Sequence, residues 1–324
     1  MFKEREDYPI LEFPGNGPAV IEPCLIYGGK KRIPRRCVIT FFKDVIDELK
    51  SSGKLSLIYK LKGEGDPIEV FLLRNEGFRS QGVRSESHDD LSELSNVPLV
   101  DEYGHEPGDE FARTDRGTAR GHGIGTEPRR IRGAAEGTIS DEDVAMVFPG
   151  IGAPFASCTL EELICLGADR FICCGGAGVL NADVEPGTVI VPTKALRDEG
   201  TSYHYQEGGR YSEPSHEALL AIEKTFSANG VSFLKGKTWT TDAVFRETAQ
   251  KVKKRREEGC LTVEMEAAAL FAVARFRGVA FGQILYGGDD VSGLEWDTRG
   301  WMGLSSLRSQ LIKMSVEAVR RIGE

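Results

Sequence analysis

The amino-acid sequence predicts an α/β fold built on a largely parallel, covered β-sheet. From Val144 onward, short apolar runs of strand length alternate with longer segments in which apolar residues recur at helical spacing. Glycine-rich segments follow several of the apolar runs. Such alternation is typical of βαβ units, whose helices cover both faces of a parallel sheet. The 324 residues suffice for one large α/β domain or two ordinary ones.

The apolar patterning places the individual elements. In the first part of the chain it predicts one helix and three strands, namely helix 43–50 and strands 37–42, 55–59 and 68–73. Further along, the predicted strands are 144–148, 171–174, 188–191, 231–234 and 279–286, and the predicted helices are 159–166, 215–227, 246–258, 266–277 and 307–322. Thr159 and Glu162 form a capping-box pattern, which predicts the start of the first of these later helices.

Residues 74–142 differ from the rest of the chain. They are rich in Arg, Gly, Asp, Glu and Ser and show no sustained periodicity. Such a segment cannot bury enough apolar surface to offset the entropy lost on ordering. The sequence therefore predicts a single α/β domain formed by residues 1–73 and 143–324, interrupted by a low-complexity, disordered insertion over 74–142. The alternative is that this segment is not native coding sequence.

Charge and composition argue against several classes of function. The net charge of −9 and the isoelectric point near 5.3 disfavour nucleic acid as a partner, because neutralising phosphates requires a basic face. No apolar run approaches the roughly 20 residues of a membrane helix, and the N-terminus lacks the apolar core of a signal peptide. The seven cysteines form no disulfide-like framework, and adjacent Cys173 and Cys174 indicate buried, reduced thiols in a cytoplasmic protein. No ligand spacing predicts a metal site.

Three glycine-rich segments follow predicted strands, at 150–152, 175–178 and 287–288. Ligands of α/β sheets bind beyond the carboxyl ends of the strands, and glycine lets backbone N–H groups approach an anion closely. Together the segments predict a small-molecule site. None follows the Walker A pattern, and no Gly-x-Gly-x-x-Gly opens a helix, which disfavours a P-loop and a dinucleotide fold.

Paired carboxylates provide a second signal. Glu264 and Glu266 flank Met265 just before an Ala-rich helix. In extended backbone, side chains two residues apart point the same way, so both carboxylates would face one site. Vicinal hydroxyls, as on a ribose, need acceptors arranged like this. The alternative is two acids in the first turn of a helix, where the helix dipole favours them.

Asp289 and Asp290 directly follow a predicted buried strand. Adjacent carboxylates raise each other's pKa, and burial adds to this effect. A carboxylic acid that stays protonated near neutral pH can donate a proton to a leaving group. The alternative is a turn at the strand end, in which the side chains bond the backbone.

Five ordered motifs resemble those of the nucleoside phosphorylase-I family, which includes the uridine phosphorylases and purine nucleoside phosphorylases. The motifs are residues 148–154, 175–178 with 187–192, 197–205, 241–243 and 263–268. The resemblance covers about 144–322 well and 1–73 loosely. It implies a three-layer αβα fold with a mixed, mostly parallel central sheet, and dimers that assemble into hexamers.

The resemblance also implies the reaction and its residues. Family members cleave the N-glycosidic bond of a nucleoside with inorganic phosphate, giving free base and ribose 1-phosphate, without a further cofactor. Asp289 matches the acid that protonates the base in purine-cleaving members. The residues that match substrate-binding positions are Phe245, or Val244 if the register shifts by one, together with Glu264, Met265 and Glu266. Those that border phosphate are Gly150, Gly152, Gly175 and Gly176.

Two departures from the family pattern bear on phosphate. Cys173 stands where phosphorylases usually carry an Arg, and Gly176 stands where they carry Thr or Ser. Two alternatives therefore stay open: a phosphate-independent nucleosidase, similar to the methylthioadenosine hydrolases that lack this Arg, and a non-catalytic nucleoside-binding protein. The base also stays open, because Asp289 favours a purine while the overall resemblance favours a pyrimidine.

Overall fold

A computed structural model of the chain describes residues 9–28, 32–61, 67–74 and 139–324. Within these ranges the strands are β1 (Arg36–Thr40), β2 (Leu55–Lys60), β3 (Glu69–Leu73), β4 (Val144–Val147), β5 (Arg170–Val179), β6 (Val189–Asp198), β7 (Tyr211–Ser212), β8 (Leu234–Thr241), β9 (Cys260–Glu264) and β10 (Ala280–Asp290). The α-helices are α1 (Pro23–Tyr27), α2 (Lys43–Ser51), α3 (Ala153–Cys165), α4 (His216–Ala228), α5 (Ala249–Glu257), α6 (Ala267–Arg277) and α7 (Ser305–Arg321).

The strands form one mixed sheet with an open part and a closed part. The open part runs β2-β3-β4-β1-β5, in which β4, β1 and β5 are parallel and β2 and β3 are joined by antiparallel pairing. In the closed part β5 pairs with β9, β9 with β8, β8 with β6, β6 with β10, and β10 again with β5. Five strands therefore close into a ring. The predicted α/β fold with a mixed central sheet is confirmed.

Helices cover both faces of the sheet. Ile172 and Cys174 of β5 pack in the core shared with α2, α4 and α7, whereas Phe171 and Cys173 pack in the core shared with α1, α3 and α6. A strand buried on both faces reads as a continuous apolar run, which is why β5 was predictable. The result is the three-layer αβα architecture that the resemblance implies. Among the helices described, none has the length and apolarity needed to cross a bilayer.

Two of the three glycine segments lie inside strands rather than in loops, which corrects the sequence prediction. Gly175–Gly178 belong to β5, and Gly287 and Gly288 belong to β10. Here glycine permits close packing between strands: a Cβ atom on Gly287 would lie 2.8 Å from Cγ1 of Val179. The predicted strand ends at Cys174 and Tyr286 were therefore too early, because a close strand contact has the same local signature as a turn.

Helix α3 begins at Ala153, not at the predicted Thr159. Pro154 lies in its first turn, where a missing backbone N–H costs nothing. The Thr159 hydroxyl donates instead to the carbonyl oxygens of Phe155, at 3.1 Å, and of Pro149, at 3.2 Å. The predicted capping box was wrong, and the segment Gly150–Gly152 stands directly at the helix start.

Strands β3 and β4 are neighbours in the sheet although the predicted insertion separates them in sequence. Leu73 pairs with Val144, and Val70 pairs with Val147, in antiparallel register. Residues from both sides of the insertion therefore share one sheet. Residues 75–138 lie outside the described residues, so the predicted disordered insertion and its boundaries stay a prediction.

The cysteines differ in part from the expectation of reduced thiols. Cys24 of α1 and Cys165 at the end of α3 form a disulfide, which the sequence analysis did not predict. Their separation of 141 residues explains why no local spacing revealed the pair. Cys173 and Cys174 are buried free thiols, as predicted.

Candidate active site

The segment Gly150–Gly152 joins β4 to α3 at the N-terminus of the helix. Gly150 has φ +82° and Gly152 has φ +100°, a region that residues with side chains disfavour. A Cβ atom on Gly150 would lie only 2.0 Å from the ring of Phe155. Because N–H groups at a helix start carry partial positive charge, this segment suits an anionic group.

The carboxyl of Glu266 lies against this segment. The N–H of Gly152 donates to Oε1 of Glu266 at 2.6 Å. Glu266 is only 5% exposed, and burial raises its pKa to about 8, with the carboxylate of Glu264 as the second cause. Glu266 is therefore largely protonated at neutral pH, and it can both donate and accept a hydrogen bond.

Glu264 ends β9 and caps the start of α6. Its Oε2 accepts from the N–H groups of Glu266, at 2.8 Å, and Ala267, at 2.6 Å, and its Oε1 accepts from the hydroxyl of Thr240 at 2.6 Å. Burial raises the pKa of Glu264, although these hydrogen bonds act in the opposite direction. Glu264 is thus committed to donors of the chain itself, while Met265 between the two acids is half-buried.

Cys173 lies beside these acids on β5. Burial raises the pKa of its thiol well above the usual value, and the neighbouring cysteine and the carboxyls of Glu266 and Glu264 raise it further. The position that carries an arginine in the family pattern is therefore occupied by a neutral thiol next to two acids.

The two other glycines assigned to phosphate face aromatic rings. A Cβ atom on Gly175 would lie 3.0 Å from Phe41, and one on Gly176 would lie 3.1 Å from Tyr286. The Tyr286 hydroxyl accepts from Nε of Arg308 at 3.1 Å. The guanidinium of Arg308 also binds a carboxylate of α2 at 2.9 Å, so its charge is already compensated within the chain.

Asp289 and Asp290 have different environments. Asp290 pairs with Arg299 and accepts from the N–H of Ser292 at 2.7 Å. Burial acts to raise the pKa of Asp290, but the bonds from Ser292 and the charge of Arg299 outweigh it, so that the pKa is lowered. The expected elevation therefore does not occur at Asp290. Asp289 instead accepts from the indole N–H of Trp296, with 2.7 Å between Nε1 and Oδ2.

One acid near Asp289 was missed by the sequence analysis. Glu247 follows a 3-10 turn, Val244–Arg246, that comes directly after β8. Glu247 is half-buried, whereas Phe245 is 96% exposed. Burial raises the pKa of Glu247 to about 7; Asp289 adds to this rise, and Lys251 opposes it. No local pattern marks Glu247, because its neighbours in space are distant in sequence.

The described residues thus form two groups at the ring of strands. We call Gly152, Glu264 and Glu266 the glycine-loop cluster, and Glu247 with Asp289 the carboxyl pair. The side chain of Phe245 is exposed and joins neither group. In the parts of the chain that the structure describes, no three His, Cys, Asp or Glu side chains are arranged to hold a metal ion. The binding roles assigned from sequence stay predictions.

Comparison with known sequences gives a family match. The sequence profile of the phosphorylase superfamily matches residues 112–300. The guanosine phosphorylase of Halorubrum lacusprofundi is 34% identical over 142 residues, which cover 44% of this chain and 59% of that protein. The uridine phosphorylase of Treponema pallidum is 31% identical over 199 residues, covering 57% of this chain and 75% of that protein. The aligned part of the chain thus covers less than two thirds of the length of the guanosine phosphorylase.

Solved structures share the fold. A purine nucleoside phosphorylase from Toxoplasma gondii superposes with a TM-score of 0.59 at 14% identity, covering 89% of this chain and 91% of that one. An AMP nucleosidase from Bacteroides thetaiotaomicron superposes with a TM-score of 0.54 at 16% identity, covering 90% of each chain. Both similarities concern the fold alone.

Proposed function

Because the chain belongs to the phosphorylase superfamily, we propose that it is a nucleoside phosphorylase, a pentosyltransferase of nucleoside catabolism and salvage. It would cleave the N-glycosidic bond of a uridine-like or purine nucleoside with inorganic phosphate, giving free base and ribose 1-phosphate. The observation that carries this proposal is the contact between the Glu266 carboxyl and the N–H of Gly152, because it joins a ribose-binding group to a segment suited to an anion.

The chemistry of the reaction fits this arrangement. Glycosidic cleavage passes through a sugar with developing positive charge. A carboxyl at Glu266 can hold the ribose hydroxyls, while phosphate held at the start of α3 attacks C1′ on the face opposite to the base and stabilises the developing charge. Asp289, near the end of β10, would interact with the departing base. Met265 and Phe245 would supply apolar contacts to sugar and base.

A phosphate-independent nucleosidase is the second candidate, and Cys173 favours it. A phosphate dianion near Cys173 would lie beside the acids Glu264 and Glu266. Arg308, which binds the Tyr286 hydroxyl next to Gly176, is already paired with Asp44. A buried anion without a cationic partner is costly. Water as the nucleophile carries no such penalty.

One assay separates the candidates. Base release is measured from uridine, inosine, adenosine and methylthioadenosine with and without inorganic phosphate, and ribose 1-phosphate is quantified. Release that requires phosphate and forms ribose 1-phosphate supports the phosphorylase. Release without phosphate supports the nucleosidase. Binding of a nucleoside without any release would support a non-catalytic binding protein.

We also propose that the chain acts in the cytoplasm as a homo-oligomer built from dimers. Exposed apolar side chains support the oligomer, among them Val20 at 96% exposure, Leu25 at 65% and Phe155 at 50%. Light scattering on the purified protein tests it, and a monomer at micromolar concentration would contradict it. The buried thiols fit a reducing compartment, whereas the Cys24–Cys165 disulfide does not. Fractionation of the source cells decides the location.

A further inference from the structure

Helix α1 is held on the protein by one covalent link and a few other contacts. Of its five residues, only Tyr27 is buried. The ring of Tyr27 packs edge-on against Tyr59, with 6.3 Å between the centroids, and its hydroxyl donates to the carboxyl of Glu162 on α3. A helix this short has no stability of its own in water. Its position therefore depends on these contacts and on the disulfide between Cys24 and Cys165.

Arg277 connects the segment before α1 to two longer helices. Its guanidinium, at the end of α6, donates to the carboxyl of Glu161 on α3 at 2.7 Å and to that of Glu22, directly before α1, at 2.9 Å. Because Glu161 is buried, water screens its ion pair only weakly. The disulfide and Arg277 thus join α1, the end of α6 and the last turns of α3.

The opposite ends of the same two longer helices form the glycine-loop cluster. Gly152 stands directly before α3, Glu266 stands directly before α6, and the Gly152 N–H donates to the Glu266 carboxyl at 2.6 Å. The 13 residues of α3 correspond to a length of about 20 Å. Both helices pack into one core, so each moves as a rigid element. A displacement at the disulfide end of α3 therefore reaches Gly152.

The disulfide is accessible to thiols from solution. Cys24 is exposed and Cys165 is half-buried, and their Cα atoms lie 5.4 Å apart, which is within the usual range for a disulfide. Exposed disulfides are typically labile and regulatory, whereas buried ones resist reduction. A bond that opens and closes is also compatible with the proposed cytoplasmic location, where redox-sensing disulfides occur although structural ones are rare.

We propose that Cys24 and Cys165 form a reversible redox site that regulates base release through α3. The inference rests on the proposed function, in either its phosphorolytic or its hydrolytic form. In the closed form, the disulfide fixes α1 and the end of α3, and Gly152 is held against Glu266. In the open form, α1 loses its covalent link, α3 gains freedom at that end, and the contact between Gly152 and Glu266 weakens.

The site would react with low-molecular-weight thiols and disulfides of the glutathione class. To open the bond, a thiolate attacks the sulfur of Cys24, the S–S bond breaks, and Cys165 leaves as a thiolate that takes a proton from water. A second small thiolate attacks the sulfur now bound to Cys24, which releases Cys24 as a thiolate and forms a small-molecule disulfide. Cys24 then takes a proton as well. Two electrons thus pass from two small thiols to the cysteine pair, and closing reverses both steps.

The test compares base release by the oxidised protein and by the protein reduced with dithiothreitol. We expect kcat/KM to fall at least about fivefold on reduction, which is the lower end of typical coupling between distant sites. It should recover when glutathione disulfide closes the bond again, which distinguishes regulation from irreversible unfolding. Equal kcat/KM for the two forms would overturn the proposal, as would a peptide map of the reoxidised protein without a link between Cys24 and Cys165.

Two variants assign the response to this pair. Cys24→Ser should match the reduced wild type and should not respond to dithiothreitol. Cys158→Ser, which removes an exposed thiol of the same helix, is the matched control and should respond as wild type does. Burial, followed by the charges of Glu162 and Glu161, raises the pKa of the Cys158 thiol, which makes it a weak nucleophile at neutral pH. A response that Cys24→Ser retains would overturn the proposal.

Hydrogen exchange of the intact wild type reads the structural link without any assay of activity. Reduction should speed amide exchange in residues 19–28 and 150–156 and leave α4 unchanged. A uniform rise over the whole chain, or no change in 150–156, would overturn the coupling. If neither form releases base from any nucleoside while exchange responds as expected, the proposed function fails and the redox coupling within the fold stands.

Discussion

The carboxyls of Glu264 and Glu266 meet backbone N–H groups, whereas Asp289 accepts from a side-chain indole and Glu247 is half-buried with the charge of Asp289 raising its pKa. In the glycine-loop cluster, the chain itself supplies donors for the buried acids, which fixes their geometry. In the carboxyl pair, Asp289 accepts from the indole of Trp296, and among the described residues no donor to the Glu247 carboxyl is found. Hydrogen-bond donors fix the orientation of a buried acid and lower its pKa, whereas burial and a like charge raise that pKa.

The largest effect is expected from Glu264→Ala. The substitution leaves the N–H groups of Glu266 and Ala267 and the hydroxyl of Thr240 without their acceptor. At roughly 1–3 kcal/mol for each unsatisfied buried group, the free energy of unfolding should fall by about 3 kcal/mol or more. Urea denaturation measures this, with Glu257→Ala as the control. A loss below about 1 kcal/mol would mean that Glu264 does not hold the start of α6.

Glu266→Gln should act on substrate recognition more than on stability. The side chain keeps its size and one acceptor for the Gly152 N–H, but it cannot ionise, so above pH 8 it lacks the carboxylate charge that a ribose hydroxyl would bind. A charge-assisted hydrogen bond is worth roughly 1.5–3 kcal/mol, so the preference for ribose over 2′-deoxyribose substrates should drop about tenfold or more. The ratio of kcat/KM for the two sugars measures this. An unchanged ratio would show that Glu266 does not hold the 2′-hydroxyl.

The pH dependence of stability provides a milder test of the same cluster. The pKa of Glu266 rises from an ordinary 4.5 to about 8 in the folded protein. Between these values the folded state binds more protons than the unfolded state, so the free energy of unfolding falls as pH rises from about 4.5 to 8. Urea midpoints at several pH values should show this fall in wild type and a flatter curve in Glu266→Gln. Parallel curves would contradict the assignment.

The smallest effect is expected from Trp296→Phe. Phenylalanine keeps an aromatic ring on the loop but removes the N–H that orients Asp289. A single hydrogen bond contributes about 1 kcal/mol, so kcat on purine nucleosides should fall about fivefold. Trp301→Phe, on the same loop, serves as the comparison. A variant with full activity would show that the orientation of Asp289 does not depend on the indole.

The layers of the fold were predictable for two reasons. A strand that is buried on both faces, such as β5, has a continuous run of apolar residues. In α7, apolar residues recur at helical spacing. Glu264 and Glu266 were visible because both lie in one short motif. Gly175–Gly178 were misread as a loop, since glycine marks both turns and close strand contacts. A close strand contact is recognised only when the neighbouring strand is known, as with Tyr286, which packs against Gly176.

Glu247 and the Cys24–Cys165 disulfide were not predictable for a related reason. The effect of Asp289 on Glu247 links the loop after β8 to the end of β10, two segments that are distant in sequence. Cys24 meets Cys165 because α1 packs against the end of α3. Both depend on contacts made in the tertiary fold, which no local sequence pattern indicates.

Because Leu73 pairs with Val144, the length of the segment between β3 and β4 has little effect on the free energy of folding. Antiparallel partners lie about 5 Å apart, so a turn of two residues would suffice to join the two strands. For a flexible connection, each doubling in length costs only about 0.6 kcal/mol of closure entropy. The sheet therefore tolerates insertions or deletions between β3 and β4 at little cost in folding free energy.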